Sequence, residues 1–209
     1  MIRIVRSTAT ALAAVLGLSA CTFLSPEPDP TRFAVLAAVD DLPDAPSPAA
    51  AVEGLTVGVG PIVVPEYLLR PEIQTRTAGT RLVPSLTERW GEPLDRGIQR
   101  VLSIDLKRAL GAERVVLHPW YATEAPAAQV QIAFSRFERE DPGKVVVRAA
   151  WSIRRAASNT PPIEGETHLE RATSSGDGAS AALELSLALA EMAREIAAAW
   201  AGAAGNPAR

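Results

Sequence analysis

Cysteine is nearly absent. The 209-residue chain has one, Cys21, and a single thiol closes no intrachain disulfide and builds no thiolate metal cage. Histidine is almost as scarce. His118 and His168 fall in different segments without metal-ligand spacing, which argues against a zinc site and leaves both as surface or turn residues. An excess of cations is missing too: 21 Lys and Arg stand against 24 Asp and Glu, a net charge of −3 at pH 7. That balance excludes a polyanion such as nucleic acid as the natural partner. Phosphate loops are also lacking. Gly58-x-Gly60 runs into Pro61 instead of a helix, and neither a GxxxxGK[ST] loop nor a GxSxG elbow occurs. Ser174-Ser175-Gly176 has no partnered base and reads as a turn. With no legible nucleophile–base pair, no catalytic residue is assigned, no metal or cofactor is expected, and the chain reads as a non-enzyme.

What is present begins at the amino terminus. Arg3 and Arg6 precede an uncharged, mostly apolar stretch from Ser7 to Leu18, and the run ends in Leu18-Ser19-Ala20-Cys21. A basic start, a short apolar middle and small residues at the cut make residues 1–20 a signal peptide. The stretch is shorter than the ~20 residues a bilayer span needs. Leu-Ser-Ala-Cys resembles the lipobox of bacterial lipoproteins. That resemblance implies a diacylglyceryl group on the Cys21 thiol, cleavage before it, and acylation of the new amino group. The covalent lipid on Cys21 is the only non-protein group expected. Two or more acyl chains hold a protein on a membrane stably, at ~0.8 kcal/mol per buried methylene. Thr22 follows the cysteine where lipoproteins kept in the inner membrane commonly have Asp. This favours the inner leaflet of the outer membrane, on its periplasmic side. An ordinary secretory signal with a chance cysteine, or a short anchor, is the alternative.

Removal of the leader leaves 189 residues and a net charge of −5, enough for one domain with a full core. Residues 21–31 are Pro-rich and polar and read as an extended tether of up to ~30 Å at ~3.3 Å per residue. The domain is placed at 32–204, with a Pro/Ala/Asp-rich loop without regular structure at 40–54. Strands are expected at 32–39, 55–59, 62–65, 73–76, 80–83, 114–117, 128–137, 144–153 and 164–172. Gly79 serves the first hairpin turn and Asp141-Pro142-Gly143 the second. Two helices are expected. In 92–110, Leu94, Ile98, Val101, Leu102, Leu106, Ala109 and Leu110 recur at steps of three and four, with Pro93 at the first turn and Gly111 at the stop. In 179–203, Leu185, Leu189, Met192, Ile196 and Trp200 mark the dry side and Glu184, Glu191 and Glu195 the wet side. Strands, helix, strands, helix predict an α+β two-layer sandwich: a mixed, mostly antiparallel sheet with two main helices on one face.

Two groups of residues carry possible chemistry. Glu138, Glu140 and Asp141 cluster at the tip of a strand pair. Paired carboxylates suit cation binding or acid–base work, but a solvated hairpin end is preferred. The segment from Pro65 to Pro93 is richer. Arg70, Arg76, Arg81 and Arg89 recur with Glu66, Glu72, Glu88 and Glu92, beside Tyr67 and Trp90. Arginines and aromatics favour interface centres, so Tyr67, Arg70, Arg76, Arg81, Arg89 and Trp90 are the candidate partner-binding residues. The competing reading is internal: Arg–Glu pairs that lock a loop to the helix start, with Trp90 buried.

The same segment resembles a family. Gly60-Pro61-Ile62-Val63-Val64-Pro65, then Tyr67-Leu68-Leu69-Arg70-Pro71 and Ile73-Gln74-Thr75-Arg76, resemble the signature of the PqiC/YmbA-type lipoproteins. Arg81-Leu82 and Arg89-Trp90-Gly91-Glu92-Pro93-Leu94 match its following block, and Pro119-Trp120, Phe134-x-Arg136-Phe137 and Ala150-Trp151 fit downstream. The chain departs at Leu69, where the family often has Asp, and in the insertion at 40–54. The resemblance implies an auxiliary lipoprotein of an MCE-type ABC transport system, which moves phospholipid between membranes and supports envelope integrity. Its implied partner is the periplasm-spanning MCE-domain subunit, docked beneath the outer membrane. Self-association to match a symmetric tube is a further expectation. The alternative is a lipid- or small-ligand-binding lipoprotein that hands substrate on, suggested by the apolar, Ala-rich last helix.

Overall fold

The computed structural model describes residues 28–38, 55–156 and 159–204. The leader, Cys21, most of the tether and the 40–54 loop lie outside the described residues. Among the described residues, eight strands and two α-helices follow in the order β1 (Arg32–Ala34), β2 (Thr56–Val63), β3 (Glu72–Thr77), β4 (Arg81–Trp90), α1 (Leu94–Leu110), β5 (Arg114–Leu117), β6 (Ala128–Glu140), β7 (Lys144–Arg155), β8 (Ile163–Ala172) and α2 (Gly178–Ala204).

Strand β6 is the spine of one open, curled sheet. One of its edges pairs antiparallel with β7 from Ala128 to Glu140, and β8 continues antiparallel outside β7. The other edge is shared. Residues 128–133 run parallel with β2, while Arg139 and Glu140 run parallel with β3. Outside β2 lies β5, parallel; outside β3 lies β4, antiparallel; outside β4 lies β1, parallel.

Four of the seven strand pairings are therefore parallel, which corrects the expectation of a mostly antiparallel sheet. The reason is a crossover. Helix α1 carries the chain back across the sheet, so β5 enters in the same direction as β2. Hairpin turns leave a local mark in sequence and crossover pairings leave none. Strand β1 is also shorter than expected, three residues instead of eight. Pro61 does not divide β2; the strand runs through it, with a register shift against β6 between Val59 and Ile62.

Helix α1 forms as its periodicity predicts. Leu94, Ile98, Val101, Leu102, Leu106, Ala109 and Leu110 are all buried. Pro93 precedes the first turn, and Gly111 at φ 59° ends the helix in the left-handed region. The Gly111 N–H donates to Arg108 O and the Ala112 N–H to Lys107 O, which satisfies two of the last carbonyls. Buried Gln99 fastens the helix to the sheet, its Nε2 donating to His118 O at 2.9 Å.

Helix α2 carries alanine where contact is close. Ala181, Ala182, Ala188, Ala193 and Ala197 are buried with Leu185, Leu189, Met192, Ile196 and Trp200. Small residues let this helix approach both α1 and the sheet, so its apolar length is filled by the protein's own core. Its wet side is tied down as well. Arg171 Nε donates to Glu184 Oε2 at 2.8 Å and the Thr167 hydroxyl to Glu195 Oε2 at 2.5 Å.

Candidate functional site

Glu138 is the centre of the segment that the sequence singled out. Its side chain has no solvent-exposed surface, and it sits on β6 beside the register shift at Phe134/Arg136. Tyr67, on the turn Glu66–Leu68, donates its hydroxyl to Glu138 Oε2 at 2.5 Å. Arg76 Nε, on β3, donates to Oε1 at 2.6 Å, and Arg136 Nε donates to the same oxygen at 2.9 Å. Arg76 Nη2 also reaches the Tyr67 oxygen at 3.2 Å, with its guanidinium 5.5 Å from the ring centre. Burial and the neighbouring Glu138 carboxylate push the Tyr67 phenol up to about 12. Hydrogen bonding to Glu138 raises the Arg76 guanidinium above its ordinary value. One buried carboxylate answered by two guanidiniums and a phenol is the arrangement that makes a buried charge tolerable.

The cluster continues outward. Arg136 Nη2 donates to Glu140 Oε2, and Lys144 Nζ bridges Glu140 at 3.2 Å and Glu170 at 2.7 Å. The Arg136 hydrogen bond holds the Glu140 carboxyl below its usual range, and Lys144 does the same for Glu170. The solvated hairpin end expected for Glu138 is thus corrected: the turn Glu66–Leu68 and β3 fold over it and replace water with donors. Arg136 and Glu138 form a pair that the sequence reading did not assemble. Their one legible signal was Arg136 and Glu138 two apart on a strand, which places both on one face.

A second carboxylate ties the neighbouring strands to α2. Glu88 Oε2 accepts from Arg139 Nη1 at 3.1 Å and Oε1 from the Gly178 N–H at 2.5 Å, at the first turn of the helix. Asp177 Oδ1 accepts the Ser180 N–H at 2.8 Å, and that hydrogen bond holds its carboxyl below the usual range. Acidic groups at a helix N-terminus meet free N–H donors and the positive end of the dipole. Ser85 and Glu88 interact inside β4, the Glu88 N–H donating to Ser85 Oγ at 3.0 Å.

The candidate residues therefore divide. Tyr67 and Arg76 are half-buried and engaged in the Glu138 cluster, and Trp90 is buried, its backbone N–H donating to Pro71 O at 2.7 Å. Arg70, Arg81 and Arg89 are exposed. Arg89 stands 4.0 Å from Glu72, whereas Arg70 and Arg81 have no ion-pair partner among the described residues. Beside Arg70 opens a groove of about 420 Å³, lined by Leu69, Arg70, Pro71, Trp90, Pro93 and Leu94 among others. A second concavity of about 570 Å³ lies across β2, β6, β7 and β8, floored by Ala133, Ala150 and Ser152 and walled by Val63 on one side and Glu164 and Glu166 on the other.

Neither concavity gathers an acid, a base and a nucleophile. His118 stacks edge-on against Trp120 at 5.3 Å, and His168 accepts from Arg148 Nε at 2.9 Å. Among the described residues, no three His, Cys, Asp or Glu side chains converge as metal ligands, and no helix is long and apolar enough to cross a membrane.

The family described as the ABC-type transport auxiliary lipoprotein component matches residues 39–197. The chain belongs to this family. Two solved structures share its fold. A protein of Xanthomonas campestris, assigned to a family of unknown function, is 14% identical over 84% of this chain and 96% of its own, with a TM-score of 0.61. An uncharacterised protein is 18% identical over 80% of this chain and 98% of its own, with a TM-score of 0.62. No curated protein sequence matches.

Proposed function

We propose that the chain is the lipid-anchored, non-enzymatic docking subunit of an MCE-type ABC lipid transport system. Acyl chains on Cys21 hold it to the inner leaflet of the outer membrane, and its folded domain engages the periplasm-spanning MCE-domain subunit. Membership of the transport auxiliary lipoprotein family carries this reading. The geometry around Glu138 supports the docking role. Buried pairing of Tyr67 and Arg76 makes a rigid base, and that base presents the unpaired Arg70 and Arg81 and the Trp90-lined groove outward. Guanidiniums held on a rigid scaffold lose little entropy on contact and direct several donors at a partner's acceptors. Self-association around a symmetric tube belongs to the same reading.

The alternative, a module that hands lipid or a small ligand onward, finds less support. The apolar face of α2 is occupied by core residues. The larger concavity is walled by Glu164 and Glu166, which repel an anionic headgroup.

The test is recovery of the MCE-domain subunit from solubilised envelopes. Wild type is expected to capture it, and an Arg70→Glu/Arg81→Glu variant with unchanged melting temperature is expected not to. Equal capture by the two places the contact elsewhere. Native mass spectrometry of the same samples decides the alternative, since co-purifying phospholipid would favour it.

A further inference from the structure

The entry strand β1 is short, lies at the sheet edge and is unusually apolar on its outside. Phe33 is 68% exposed and Val35 56%. Phe33 is the cross-strand partner of Arg89 in β4, so the two side chains share one face. Val35 lies two residues further on that face, directly over Gly91: a Cβ on Gly91 would fall 2.8 Å from Val35 Cγ1. Leu86 is 92% exposed. It projects from the stretch of β4 where five steps, from Pro84 to Arg89, face only two steps of β3, and it precedes by two the residue paired with Arg32. Arg32 and Arg89 are both exposed at this edge. Phe33 and Val35 thus share one exposed face with Arg89 where the chain enters the fold, Leu86 stands out from the neighbouring irregular stretch of β4, and Arg32, paired with Glu88, falls on the opposite face.

We infer that this edge is a membrane-docking surface, on which Phe33, Val35 and Leu86 enter the headgroup region and Arg89 meets lipid phosphate. The inference rests on the lipid-anchor reading of Cys21. Twelve residues separate Cys21 from Phe33, a reach of at most about 40 Å along a fully extended chain. The edge is thus confined within a short distance of the bilayer surface, where an exposed apolar patch gains from burial in the interface and guanidiniums gain from anionic lipid. Isolated exposed apolar residues need no explanation; an apolar cluster rimmed by polar residues marks an interaction surface. No comparable confinement applies to exposed Leu117, on β5 at the far end of the strand order from β1. Docking by this edge would also hold the adjacent Arg70 groove in one orientation towards the partner.

The experiment uses the full-length acylated protein in vesicles of phosphatidylethanolamine and phosphatidylglycerol. Acylation consumes the only native thiol, so Val35→Cys and Leu117→Cys each give one site for a nitroxide label. The expected result is that both proteins float with the vesicles. The label at 35 becomes severalfold more accessible to oxygen relative to a water-soluble nickel chelate, while the label at 117 does not change. Adding Phe33→Asp/Leu86→Asp to the Val35→Cys protein is expected to abolish the shift without abolishing flotation. A protein that floats while the label at 35 stays as water-exposed as that at 117 overturns the docking surface and leaves the anchor standing. An unmodified Cys21 by mass spectrometry, with no flotation, overturns the anchor and this inference with it.

Discussion

The Tyr67 hydroxyl lies 2.5 Å from Glu138 Oε2 and joins the turn before β3 to the middle of the sheet. Seventy-one residues of chain separate the two groups. Arg76, on the strand that follows the turn, holds the other carboxylate oxygen. The segment richest in arginine and aromatics is thereby half scaffold and half surface, and different substitutions within it have different consequences.

Removing Glu138 leaves Arg76, at 17% side-chain exposure, without a carboxylate, while Arg136 keeps Glu140. Breaking a buried ion pair from one side costs about 3–5 kcal/mol. Glu138→Ala is therefore expected to lower the urea midpoint sharply. Arg70→Ala, at an exposed position, is expected to stay within about 0.5 kcal/mol of wild type. An Glu138→Ala protein with an unaltered midpoint would mean that the cluster contributes nothing to the fold.

Tyr67 gives the cluster an alkaline signature. Its phenol titrates at about 12 in the folded chain, against 10 for an ordinary tyrosine. The folded state holds this proton more tightly than the unfolded state does. Its contribution is thus complete below pH 10 and disappears as pH rises towards 12. Allowing for solvent screening at a half-buried position, the loss is ~1 kcal/mol. The chain has two tyrosines, so Tyr121→Phe leaves Tyr67 alone for absorbance titration at 295 nm. A midpoint near 10 would show that Glu138 does not restrain the phenol.

On the acid side the sign reverses. Hydrogen bonds from Arg136 to Glu140 and from the Ser180 N–H to Asp177 lower both carboxyls in the folded chain. Their contribution is present above the ordinary carboxylate range and disappears as pH falls through it. Melting temperature is expected to fall on acidification, and to fall less in a Glu140→Gln/Asp177→Asn double variant than in wild type. Parallel curves for the two proteins would remove these groups from the acid transition.

Legibility in sequence followed range. Helix α1 was readable to within two residues at its start because Pro93, the Leu94–Leu110 stripe and Gly111 are local signals. Most strands were readable because alternation is local, although β4 runs seven residues past the expected Val83. Its later part is broken by a register shift against β3, which interrupts the alternation. The parallel pairing of β2 with β5 and β6 was not readable, since nothing in Thr56–Val63 records which strand lies alongside. Glu138 failed for the same reason. Its donors come from Tyr67 and Arg76, far back in the chain, and without them a charged pair near a turn reads as solvated. Trp90 and its neighbouring arginines stood out by type alone, which is why internal and surface roles could not be separated until the fold was known.

Gly165 tests the packing of the sheet against α2. It lies on β8 opposite Trp151, and a Cβ built there would fall 2.3 Å from Trp151 Cζ2 and 2.5 Å from Cη2. No carbon tolerates that approach, so Gly165→Ala forces the indole to move. The indole is not free to do so. Its Nε1 donates to Thr167 Oγ1 at 3.2 Å, and that hydroxyl donates to Glu195 on α2. Overpacking of this kind costs about 1–3 kcal/mol, and a displaced indole would break the link to α2 as well. The control is Gly176→Ala, where a Cβ meets nothing within 4 Å and the change is expected to stay within about 0.5 kcal/mol. Denaturation of both variants, with near-ultraviolet circular dichroism of the tryptophans, separates the outcomes. Equal stability of the two proteins would place Trp151 away from the β8 backbone and undo the packing described between β7 and β8.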